Sequence, residues 1–380
     1  MQLTLSVRMA VVVALGLASA VPVGAVEFAV VGPRAAAMGG AGVAGTSDAF
    51  ATYWNPAGLV VSRSVDVRGQ FTAHATDRLG VINTLDDINS INKNDTSAAN
   101  QARLQGLLNR LNAPGANVSA VGDAGVYAKF NIGAHAFGIS IADVATGGLF
   151  TATPLTAVVS GTNLAVTGSM AGKALEARQL TFSYATSFLD GTLAIGATGK
   201  AIQGAAYNAT VQVLDAASET GVKDNIGKAQ LSTKLGLDLG AIYRPTAWAK
   251  AGIVAKDINE PAFDAPNGER YKLGAQIRGG LAVTPWETMT IAVDGDITSN
   301  KTLIPGLKSQ VIGVGLEQTL LGESLALRAG ASKNLQDAAS KVLPTAGLGL
   351  KLWVLRLDLG GGYDFRERQA MASGAIGFTF

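Results

Sequence analysis

From Ser64 onward the chain alternates apolar and polar side chains almost to its last residue. The alternation breaks into about fourteen segments of roughly ten residues, the length a tilted strand needs to cross a membrane. The clearest runs from Trp353 to Asp364. There Trp353, Leu355, Leu357, Leu359 and Tyr363 share one face, while Arg356, Asp358 and Asp364 share the other. Tyr271 to Val283 and Leu235 to Arg244 repeat the pattern, with Lys272 and Arg278 on the polar face of the first and Lys234 and Asp238 on that of the second. Because successive side chains on a strand point to opposite faces, each segment carries one apolar and one polar stripe.

A soluble sandwich alternates as well, so the pattern must be read together with the connections. Short connections near Ile132, Asp190, Pro245, Pro285, Leu321 and Leu352 take turns with long ones over 73–121, 145–174, 205–229, 258–269, 299–308, 334–341 and 365–370. Short and long in strict succession predicts an up-and-down barrel, with tight turns on one side and extended loops on the other. The polar stripe gathers charges of both signs, among them Asp66, Arg68, Lys129, Lys234, Asp238, Arg278, Asp294, Arg328, Arg356 and Asp358, and these are read as lumen charges. The expected fold class is all-β: a transmembrane antiparallel β-barrel of about fourteen strands over 64–380, with an N-terminal hatch, or plug, in the lumen.

That hatch is assigned to 26–63. Its core, Gly32 to Leu59, is rich in Gly and Ala and lets a backbone run close to a neighbouring surface. Phe50, Tyr53 and Trp54 form one aromatic cluster, and Asn55-Pro56-Ala57-Gly58 reads as a turn. A Gly-rich loop and short helix lying on a soluble core is the alternative.

Composition supports the membrane reading. Charged residues are 15% of the chain, against about 25% in ordinary soluble domains, and mean hydropathy is +0.27. No stretch after residue 25 has eighteen consecutive apolar residues, so spanning helices are not expected. A net charge of +2 without a basic cluster argues against a nucleic-acid partner. The absence of Cys excludes disulfides and thiolate metal sites. At the N-terminus, Arg8, the apolar run Met9 to Ala18 and the small residues Val23-Gly24-Ala25 read as a signal peptide over 1–25, cleaved after Ala25. The last strand, in which Ala372, Gly374, Ile376, Phe378 and Phe380 alternate with Ser373, Ala375, Gly377 and Thr379, ends on an aromatic. It resembles the C-terminal signal of bacterial outer-membrane barrels, which implies insertion by the barrel-assembly machinery into outer-membrane lipid.

Gly32-Pro33-Arg34-Ala35, Met38-Gly39-Gly40-Ala41, Asp48-Ala49 and Tyr53-Trp54-Asn55-Pro56-Ala57-Gly58-Leu59 resemble the N-terminal region of the FadL-like outer-membrane proteins. That resemblance implies a fourteen-stranded barrel closed by a hatch bearing an Asn-Pro-Ala motif, here Asn55-Pro56-Ala57. Within the superfamily the chain is most similar to the conjugal-transfer TraF-type proteins, through Asp77-Arg78, Thr84-Leu85-Asp86-Asp87-Ile88, Tyr243-Arg244-Pro245 and Lys256-Asp257-Ile258-Asn259.

Two candidate sites follow. Asn55, Pro56 and Ala57, with Phe50 and Trp54, form either a gating latch or a passive turn that closes the hatch. In the first long loop Leu104, Leu107, Leu108 and Leu111 fall on one helical face; with Phe150 and Leu155 they line a ligand groove, or else anchor the loop. Catalysis has little to stand on. His74 and His135 lack metal-ligand spacing, Asp86-Asp87 reads as the opening of a helix, and Gly360-Gly361-Gly362 opens no helix and so makes no phosphate loop. No cofactor or metal is expected. The leading expectation is a FadL-like barrel mediating passive uptake of small hydrophobic compounds through a hatch-gated lumen. The alternatives are a non-transporting envelope component with conjugation or secretion proteins as partners, and an exported soluble β protein.

Overall fold

Strands β1 (Asp66–Arg78) and β18 (Gln369–Thr379) pair antiparallel from Asp66↔Thr379 to Thr76↔Gln369, and this pairing closes the sheet on itself. The computed structural model describes residues 28–214, 229–266, 268–337, 340–366 and 368–380. The expected signal peptide and most of the expected 205–229 loop lie outside them. Between the closing strands run β2 (Asn117–Ile132), β3 (His135–Ser160), β4 (Asn163–Phe188), β5 (Leu193–Val211), β6 (Gln230–Thr246) and β7 (Ala249–Lys256). Then follow β10 (Gln276–Trp286), β11 (Met289–Asp296), β14 (Val311–Leu320), β15 (Leu325–Asn334), β16 (Leu343–Leu352) and β17 (Leu355–Asp364). The closed barrel thus has the expected fourteen strands, each paired with its neighbour in sequence. Two short hairpins, β8 (Ala262–Asp264) with β9 (Arg270–Lys272) and β12 (Asn300–Lys301) with β13 (Lys308–Ser309), stand in the long loops.

The burial pattern is inverted relative to a soluble protein. Phe71, Ile141, Phe182, Leu235, Leu281 and Leu359 are more than half exposed, while Arg68, Lys129, Lys200, Asp238, Arg278 and Asp294 are buried. A soluble sandwich would place these two sets the other way round, so this arrangement excludes it. The apolar stripes face outward and the ionised stripes face the lumen, as in a barrel bathed in lipid. No helix among the described residues is long and apolar enough to cross a membrane.

Three local expectations are overturned. The 145–174 region is not a loop: β3 and β4 are 26 residues each and continue as one hairpin through Ser160↔Asn163, with bulges between Thr151 and Thr156. Its Thr- and Val-rich sequence keeps the alternation beyond the membrane, and Gly161, at φ 61°, makes the tight turn. The Tyr271 to Val283 segment splits, because Tyr271 and Leu273 turn inward onto Leu175 and Ile202 instead of facing lipid. Lys272 consequently sits in the loop and ion-pairs with Glu260, not in the lumen wall. Trp353 belongs to the turn before β17 and is almost fully exposed.

Candidate functional site

The segment preceding β1 is built from short pieces. Gly32, at φ 84°, precedes α1 (Pro33–Ala37), whose first residue is a proline suited to a helix start. The backbone then turns through Gly39 and Gly40, both at positive φ. The second helix, α2 (Ala51–Trp54), ends at Asn55, and a 3-10 turn covers Pro56–Val60.

Asn55 ties the segment to the wall. Its Oδ1 accepts from Ala57 N at 3.1 Å and caps the 3-10 turn. Its Nδ2 donates to Val43 O at 3.2 Å and to two strand carbonyls, Ala241 O at 3.1 Å and Ile253 O at 3.3 Å. This approach requires glycine at position 240, where a Cβ would stand 2.0 Å from Asn55 Oδ1. Pro56 and Ala57 are buried against the wall beside Gly196, where a Cβ would meet Ala57 N at 2.6 Å. Trp54 donates from Nε1 to Val31 O at 2.8 Å, and its ring centroid is 5.3 Å from that of Phe28. Phe50 packs edge-on to Tyr127 of β2, with centroids 5.2 Å apart. Asn55, Pro56, Ala57, Phe50 and Trp54 are therefore all buried where the segment meets the lumenal faces of the strands.

Charged side chains extend these ties around the barrel. Arg34 Nη2 lies 2.7 Å from Glu317 Oε1 on β14, and Glu317 Oε2 lies 2.6 Å from Arg328 Nε on β15. Arg328 Nη1 reaches Asp358 Oδ1 on β17 at 2.6 Å, and Asp358 Oδ2 is 3.6 Å from Arg68 Nη1 on β1. Arg68 closes the chain on Asp66 at 2.8 Å and on Asp48, back in the segment, at 3.2 Å. A second group joins Arg278 to Asp296 at 2.9 Å, to Asp294 at 3.8 Å and to Gly40 O at 3.1 Å. Asp294 Oδ2 also accepts from Gly42 N and Val43 N, each at 2.7 Å. A third joins Lys200 to Asp238 at 2.7 Å and to Asp257 at 2.5 Å. Lys129 Nζ donates to Ser47 O, Leu59 O and Ser62 O at 2.7–3.1 Å. Lys256 Nζ stands 3.0 Å from the centre of the Tyr53 ring.

Of the expected lumen charges, Asp238, Arg278, Asp294, Arg328 and Asp358 fall in these groups. Lys234 and Arg356 share the inward stripe but stand outside the three groups, and Arg356 Nε has no hydrogen-bond partner. Arg34 and Lys256 stand in the motifs that carry the family resemblance, but the sequence assigned neither of them a role. The available signal for Arg34 was a lone cation in a run of Gly and Ala; for Lys256 it was a cation ending an apolar strand.

The expected groove is covered. Leu104, Leu107, Leu108 and Leu111 are buried on α4 (Ala98–Leu111) and pack, with Leu155, on α3 (Val81–Asn89) and the β3–β4 hairpin. Phe150 lies apart from them, against Ala171 and Ile304. Asp86-Asp87 does not open a helix either, since both residues sit in the second half of α3. Partial burial and the neighbouring Asp87 raise the pKa of Asp86. His74 lies within β1 on its lumenal stripe, and His135 begins β3, with Nδ1 2.8 Å from Tyr184 Oη.

Two cavities flank the Gly39–Gly45 run. One, of about 140 Å³, opens toward the long loops and is lined by Phe28, Val30, His74, Arg78, Arg278 and Lys341, among others. The second, of about 260 Å³, lies beside short connections and is lined by Arg34, Gly45, Ser47, Asp48, Lys250 and Thr290. No cluster of His, Asp or Glu suited to a metal ion occurs among the described residues.

Solved structures similar to this chain include hydrocarbon channels and transporters. They include the Ralstonia pickettii toluene transporter TbuX (TM-score 0.58, 14% identity, covering 93% of this chain and 99% of that one) and the CymD monoaromatic hydrocarbon channel (0.57, 13%, 93% and 98%). A Pseudomonas aeruginosa FadL homologue also matches (0.53, 13%, 94% and 98%). At such identities the likeness is one of fold: this is a FadL-type barrel. No curated protein matches the chain. Residues 52–296, well over half of the 380, match the family described as F plasmid transfer operon, TraF, protein. The chain therefore belongs to the TraF family, on a FadL-type barrel.

Proposed function

We propose that this protein is an outer-membrane channel for small hydrophobic compounds in which residues 28–63 act as a hatch. The reading rests on one observation: the segment's polar ties run to strands right around the closed sheet, from β1 and β2 through β6, β7 and β11 to β14. A segment held this way blocks passage until it moves. The FadL-type fold, shared with a toluene transporter and a monoaromatic hydrocarbon channel, supports hydrophobic cargo. Residues 1–25 serve as the signal peptide, and β18 is the strand that the barrel-assembly machinery recognises.

Because the chain has no Cys, an engineered disulfide can test this cleanly. A Cβ at Gly252 on β7 would lie 3.2 Å from Ala44 Cα, so Ala44→Cys and Gly252→Cys come within reach of a bridge once that contact gives by a few tenths of an ångström. Oxidation should reduce toluene uptake by cells at least tenfold, and reductant should restore it. The TraF family match favours a second reading, a component of a conjugation apparatus. Uptake indifferent to the bridge, together with loss of conjugative transfer when the gene is deleted, would establish that reading in place of the first.

A further inference from the structure

The cavity on the long-loop side is not the purely apolar pocket that a hydrocarbon would need. Phe28, Val30, Val121, Leu343 and Met371 supply an apolar floor. The rest of its lining includes four cations, Arg78, Arg278, Lys333 and Lys341, against two carboxylates, Asp123 and Asp337. Asp337 is held by Arg78, Asp123 by Gln70 and Tyr127, and Arg278 by Asp296, so the positive excess of the lining rests on Lys333 and Lys341 at its rim. His74 lines the same cavity from β1, and its Nε2 is buried with no hydrogen-bond partner. A buried polar nitrogen left without a partner loses free energy that a bound acceptor or donor can restore. Arg278 Nε is likewise without a hydrogen bond. The cavity on the other side of the segment has the same bias, with Arg34 and Lys250 against Asp48.

We propose that the 140 Å³ cavity is a capture site for a small organic monoanion, a carboxylate carried on an apolar body about the size of one six-membered ring. The carboxylate lies toward His74 and the rim lysines Lys333 and Lys341, and the ring lies on Phe28 and Val30. This deepens the channel reading and rests on it: the hatch would separate two cavities of like sign, so an anion meets favourable charge on both faces.

The chain has two histidines, and His135 is in contact with Tyr184 at the barrel exterior. Imidazole ¹⁵N NMR of the full mature chain in detergent therefore reads the site directly. Benzoate should shift the His74 signal and leave His135 unmoved, while toluene at equal concentration should shift neither. The pair Lys333→Gln and Lys341→Gln should weaken benzoate at least tenfold. His74→Gln, which retains a donor and an acceptor, should weaken it less than His74→Leu. A His74 response to toluene but not to benzoate would overturn the anion site and leave the channel reading standing. Equal benzoate affinity in the lysine variant, or no response to either compound, would overturn the site, and the channel reading would then be judged by disulfide-controlled flux alone.

Discussion

Asn55 is the residue on which the attachment of residues 28–63 to the wall most depends, because one amide both ends a helical piece and joins it to two strands. Its Nδ2 hydrogens are shared among three carbonyls, and its Oδ1 holds a backbone N–H. Alanine would leave those groups without partners in a buried setting, at about 2–3 kcal/mol in total. The barrel strands do not depend on them. For Asn55→Ala we therefore expect amide exchange within 28–63 to quicken on the order of a hundredfold, with strand exchange unchanged. Asn55→Asp should be more disruptive, since it keeps the shape but sets an anion against three carbonyl oxygens. Equal effects from the two variants would mean that donation to the wall is unimportant.

Among the elements, α4 shows how an amphipathic pattern can be read correctly while its role is not. The four leucines do form one helical face, but that face is spent on α3, Leu155 and the β3–β4 hairpin. Leu104 and Leu108 are fully buried, and truncating either to alanine removes core contacts valued at about 2–5 kcal/mol. The prediction is a loop layer that proteases cut faster while the barrel keeps its resistance to detergent and heat. If uptake fell without any change in proteolysis, the leucines would instead be ligand contacts. The hairpin that covers them was hidden in the sequence for a physical reason. Alternation marks a strand wherever it occurs, whereas bilayer thickness limits only the part of a strand that lies in lipid. The same ambiguity concealed the break at Tyr271, whose side chain suits lipid and loop core equally well.

At the scale of the whole molecule, the protein has an apolar exterior around a charged interior. Leu359 is 63% exposed while its neighbour Asp358 is buried in the ion-pair chain. Spin labels at Leu359→Cys and Ala375→Cys should separate accordingly, because Ala375 faces Asp358 across the β17–β18 pair on the lumenal stripe. Lipid-soluble oxygen should relax the first far more than the second, which packs against the cluster of Phe28, Phe50 and Trp54; the reverse would contradict the barrel's orientation. Much of this could be read from the sequence. A strand's two faces are set by its own pleat, so a one-dimensional pattern suffices to number the staves and sort most of their inner and outer stripes, but it misplaced the 145–174 connection, which is a hairpin. The partnerships across the lumen could not be read in this way. Arg34 meets Glu317 across 283 positions, and which cation faces which carboxylate depends on the register and curvature of the closed sheet. Closure likewise decided that the leucine stripe is covered and that His74 opens onto a cavity, because both depend on elements that only folding brings to the barrel mouth.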